Sequence, residues 1–62
     1  MKYSELHKKL KEAGCYVHRQ GKRHPIWYSP ITENKFPTGR HEKEEVATGT
    51  LKRISELSGV KL

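Results

Sequence analysis

The apolar residues change period twice along this chain, and that change limits its fold more than any other feature. Tyr3, Leu6, Leu10 and Ala13 recur at the spacing of one helix face, with Lys8, Lys9, Lys11 and Glu12 between them. The spacing predicts a helix over about residues 3 to 13, with Ser4 as its N-cap and Gly14 as its stop. From Cys15 to Gln20 the period drops to two, with Cys15 and Val17 on one face and Tyr16 and His18 on the other. Gly21-Lys22-Arg23 reads as a turn, and His24 to Ser29 as a second strand that Pro25 must begin or place at an edge, because proline has no N–H for a ladder. A short third strand is expected at Lys35-Phe36-Pro37. Beyond the charged connection Glu42 to Glu45, Leu51, Ile54 and Leu57 return to helical spacing, with Thr48 and Thr50 as candidate N-caps. Gly59 ends that helix, and Val60 is placed to fold back on its last turn.

The order helix, strand, strand, strand, helix implies an α+β domain. Hairpin turns join the strands, so the sheet is expected to be antiparallel, with both helices on one face and the other face open. Sixty-two residues make one domain, residues 1–62, and with 32% apolar residues the core must be thin. It has no room for a buried organic cofactor, so none is expected.

Thirteen Lys and Arg stand against seven Glu, with no Asp, for a formal charge of +6. Such a surplus favours polyanionic partners, since each cation that neutralises a phosphate releases condensed counterions. RNA or DNA leads on this count; a solvated surface on an ordinary small domain is the plainer alternative. The lone Cys15 has no partner for a disulfide, which fits the cytoplasm. No segment reads as a signal peptide, and none approaches the roughly 20 apolar residues of a membrane span.

Metal-free cleavage of RNA needs a proton acceptor for a 2′-hydroxyl, a donor for the leaving oxygen, and cations around the phosphate. Histidine, with an unperturbed pKa of about 6.5, serves both proton transfers near neutral pH. Of His7, His18, His24 and His41, His24 stands out: Lys22 and Arg23 precede it at the junction of a turn and a strand, and Pro25 restricts its backbone. A solvated turn histidine beside two ordinary surface charges is the competing reading. His41 follows Arg40 on a Gly-containing loop, His7 is expected to be exposed on the first helix, and His18 to lie on the open face. Histidine spacings of 11, 6 and 17 residues match no zinc pattern, so no metal is expected. Tyr16, Trp27 and Tyr28 are the candidates for stacking on unpaired bases, and alternation places Trp27 and Tyr28 on opposite faces.

Taken together, Tyr3-Ser4-Glu5-Leu6 with Leu10 and Ala13-Gly14, then Gly21 to Tyr28, then Arg40-His41 and Gly49-Thr50-Leu51 with Ile54 resemble the HicA family over nearly the whole chain. The resemblance implies a double-stranded-RNA-binding-domain-like fold and an mRNA interferase (an endoribonuclease toxin) that a HicB-type antitoxin neutralises. It also implies that His24 is the catalytic histidine and Gly21 the glycine ahead of it. Lys22, Arg23, Arg40, His41 and Trp27 are then the expected RNA contacts. Two differences from the family pattern stand out: two residues rather than one separate Gly21 from His24, and Gly39 occupies the place of an expected proline before Arg40-His41. A non-catalytic RNA-binding module, or a basic face that docks an acidic protein, accounts for the same charge without chemistry.

Overall fold

The computed structural model describes residues 1–62 and shows the order α1 (Tyr3–Glu12), β1 (Tyr16–Gln20), β2 (Pro25–Tyr28), β3 (Lys35–Pro37) and α2 (Thr48–Ser58). All three strands pair antiparallel in the order β1-β2-β3. The expected α-β-β-β-α architecture is therefore present.

Helix α1 buries Leu6 and Leu10, four residues apart on one face. Ser4 is not its N-cap. The cap position is Lys2, without a side-chain hydrogen bond, and Ser4 lies inside the first turn. The helix does without a capping hydroxyl because the 42–46 segment runs back along its start. The Tyr3 N–H donates to the Glu44 carbonyl and the Ser4 N–H to the Glu42 carbonyl, both at 3.0 Å. Backbone oxygens thereby satisfy donors that a helix start otherwise leaves open. At the other end Gly14 adopts φ +97°, the Gly14 N–H donates to Lys11 and the Cys15 N–H to Leu10. This paired C-terminal motif delivers Cys15 into the core beside Leu10.

Central strand β2 begins at Pro25, where the missing N–H costs nothing, and Thr38 donates its N–H to the Pro25 carbonyl at 3.2 Å. Trp27 pairs with Val17 on one side and Phe36 on the other, so these three share the face turned to the helices. A bulge between Val17 and Arg19 leaves His18 without a register partner. Trp27, Phe36, Leu6, Leu10, Cys15, Val46 and Ile54 form a single core. Both helices contribute to it, and neither covers the other face.

Trp27, expected among the RNA contacts, is buried by this packing. It is 2% exposed, because the face it shares with Phe36 is the one both helices cover. Tyr28 lies on the opposite face and meets Tyr16 across the strands, with ring centroids 5.4 Å apart.

Helix α2 starts at Thr48 with Ala47 as N-cap and no side-chain cap, so neither threonine has the capping role expected of it. Ile54 is buried, and Gly59 ends the helix at φ +73°. Its last carbonyls are taken by the β2–β3 connection: the Ser29 hydroxyl donates to Ser58, and the Thr32 hydroxyl and Asn34 amide donate to Leu57. No helix is long and apolar enough to cross a membrane.

Candidate active site

His24 closes a four-residue connection between the paired residues Gln20 and Pro25. The Gly21 N–H donates to the His24 carbonyl at 3.0 Å, and a Cβ on Gly21 would lie 2.6 Å from that oxygen. Only glycine permits the approach. On the other side, buried Pro25 is fixed by its pairing with Gln20 and by the hydrogen bond from Thr38. An exposed imidazole is thus carried on a backbone held at both ends. The second residue between Gly21 and His24 is accommodated within this closed loop.

The His24 side chain lines a cleft of about 180 Å³ with Tyr3, Pro37, Thr38, Gly39 and Thr50. These neighbours come from the start of α1, the end of β3 and the segment after it, and the first turn of α2. Gly39 is the close-packed point: a Cβ there would lie 2.7 Å from the Tyr3 ring. Where a proline was expected, glycine lets the ring in. Thr50 belongs to a helix start with neither a side-chain cap nor an acidic residue in its first turn, so its partial positive charge is not offset locally.

None of the other expected residues lines this cleft. Lys22 and Arg23 are exposed in the loop that carries His24. Arg40 lines a neighbouring cleft with His7 and Lys11. His41 lies at a turn where its carbonyl accepts the Glu44 N–H, and it lines neither cleft. All thirteen Lys and Arg residues are exposed, and no side chain among them lies within 4.0 Å of a carboxylate. The cations are therefore free to meet an external anion.

His7, expected to be simply exposed, is partly buried. Its ring stacks on Trp27 at 5.3 Å, and Nε2 lies 3.0 Å from the Thr38 hydroxyl. Burial pulls its pKa below 6.5; the Glu42 charge and a hydrogen bond to the Gly39 backbone oppose this, and Lys11 adds to the lowering. His7 thus ties α1 to the residues that wall the His24 cleft. The signal was present in the sequence, since Tyr3, His7 and Leu10 stand at i, i+4 and i+7 on one helix face. Thr38 and Thr50 had no comparable local signal, and Tyr3, though on that helix face, meets them only through the tertiary fold.

No curated protein and no solved structure matches this chain. Residues 3–60 match the family model described as HicA toxin of bacterial toxin–antitoxin. With all but two residues at either end included, the chain belongs to the HicA toxin family of bacterial toxin–antitoxin systems.

Proposed function

We propose that this toxin is a metal-independent endoribonuclease, an mRNA interferase with His24 as its catalytic acid–base group, and that a HicB-type antitoxin neutralises it. The observation that carries the reading is the exposed His24 imidazole, held over a cleft on a surface whose Lys and Arg side chains are all unpaired. In the reaction, the 2′-hydroxyl proton passes to His24 as O2′ attacks the adjacent phosphorus. The P–O5′ bond then breaks and O5′ takes a proton, leaving 2′,3′-cyclic phosphate and 5′-hydroxyl ends. Lys22 and Arg23 beside His24, and Arg40, stabilise the charge that accumulates on the phosphorane. His41 adds a contact to the RNA backbone next to Arg40. An antitoxin that silences this chemistry covers the cleft or the cationic surface around it, so the same residues serve both partners. The activity belongs in the cytoplasm, where the mRNA is.

A second reading, a non-catalytic RNA-binding module, draws on the Tyr16–Tyr28 pair on the open sheet face, a surface suited to stacking on unpaired bases. His24→Ala separates the two: an enzyme loses cleavage and keeps RNA binding, whereas a binding module has no cleavage to lose.

A further inference from the structure

A second cleft, of about 230 Å³, adjoins the first. The two are neighbours along two stretches of chain: His24 lines one and Pro25 the other, Gly39 one and Arg40 the other. Into this second cleft the fold brings Lys11 from α1, Gln20 from the end of β1 and Arg40 from the segment after β3, beside His7, Trp27 and Glu42. Lys11 and Arg40 are both more than 4.0 Å from any carboxylate, including that of Glu42 on the same wall. Trp27 holds the one buried side-chain polar atom in the protein without a hydrogen-bond partner, its indole Nε1. Buried indole N–H groups ordinarily find an acceptor. The cleft thus gathers an ammonium, a guanidinium and a primary amide beside a buried indole whose N–H has no partner within the protein.

We infer that this cleft is a phosphate subsite, which takes the RNA backbone phosphate next to the one held at His24. The inference rests on the ribonuclease reading above. A strand lying across the His24 cleft places its next phosphate to one side, and Lys11 and Arg40 offer charge-assisted donors there. Two cations against one carboxylate leave the cleft positive, and Glu42 weakens its hold on the anion. The subsite fixes the strand's direction across His24, which a single phosphate site does not do.

The test uses the full chain and a non-cleavable 2′-O-methyl RNA trinucleotide, followed by NMR at two reporters: the His24 ring and the indole N–H of Trp27, the only tryptophan. The trinucleotide is expected to move both. Lys11→Gln is expected to weaken binding several-fold and to lower the slope of log K against log salt by about one, the signature of a lost phosphate contact. Glu42→Gln is expected to tighten binding. Movement at His24 with Trp27 and the salt slope of Lys11→Gln unchanged would overturn the subsite and leave the ribonuclease reading standing. No movement at either reporter would overturn both. Inorganic phosphate that moves Trp27 as strongly as the trinucleotide would assign the cleft to free phosphate rather than to the RNA backbone. A response to an acidic peptide alone would assign it to a protein partner.

Discussion

The Tyr3 ring occupies the space that a Cβ on Gly39 would need, with the ring carbon Cζ 2.7 Å from where that atom would stand. Through this contact the start of α1 and the segment after β3 form a common wall of the His24 cleft. Gly39→Ala must therefore displace the ring, and it is expected to cost about 1–3 kcal/mol, as overpacking does. In a Tyr3→Ala background the same substitution is expected to be nearly neutral. A double-mutant cycle followed by urea unfolding measures the coupling, and additive effects would show that the two residues do not constrain each other.

Much of the fold was legible in the sequence because it depends on local periodicity. Leu6 and Leu10, the alternation through β1 and β2, Gly14 and Gly59 are readable where they stand. The capping residues were not. Ser4 has the right chemistry, but backbone carbonyls of residues 42 and 44 take the N–H groups at the start of α1, and that return segment is visible only in the tertiary structure. The burial of Trp27 was not legible because alternation separates it from Tyr28 without saying which face the helices cover. Its cross-strand partner Phe36 settles that choice. His24 was singled out by its neighbours in the chain, whereas Tyr3, Thr38 and Thr50 come to its cleft from three separate parts of the fold.

His7 makes stability depend on pH. Its pKa in the folded chain lies below the 6.5 of the unfolded chain, chiefly because burial penalises the imidazolium. Below pH 6.5 the unfolded chain therefore binds more protons at this position than the folded one. The contribution of neutral His7 is fully present above that value and is lost as pH falls through the folded pKa. Urea midpoints measured downward from pH 7.5 are expected to fall more steeply for the wild type than for His7→Gln. Equal slopes would show that His7 is not the group responsible.

Ser29 and Ser58 are both fully buried, and the Ser29 hydroxyl is the donor to the Ser58 carbonyl at the end of α2. Ser29→Ala leaves that carbonyl buried without a donor, which costs about 1–3 kcal/mol. Chemical unfolding checks the figure. Exposed Lys61→Ala, in the tail beyond α2, serves as a control expected to stay within about 0.5 kcal/mol of the wild type.

The cationic surface predicts a strong salt dependence. With no Lys or Arg held by a carboxylate, RNA affinity is expected to fall linearly in log salt, with a slope set by the number of phosphates contacted. Lys22→Gln and Arg23→Gln are each expected to lower that slope by about one. Fluorescence anisotropy at several salt concentrations measures it, and a slope near zero would show that these cations do not meet phosphate.

The most direct test of the account is incubation of the purified toxin with a structured RNA in EDTA, beside His24→Ala, with the chemistry of the product ends determined. The account predicts cleavage by the wild type with 2′,3′-cyclic phosphate and 5′-hydroxyl ends. It predicts a loss of about 10²- to 10⁴-fold in His24→Ala, with RNA binding retained. Cleavage that EDTA abolishes and magnesium restores, or equal cleavage by the two proteins, would contradict it.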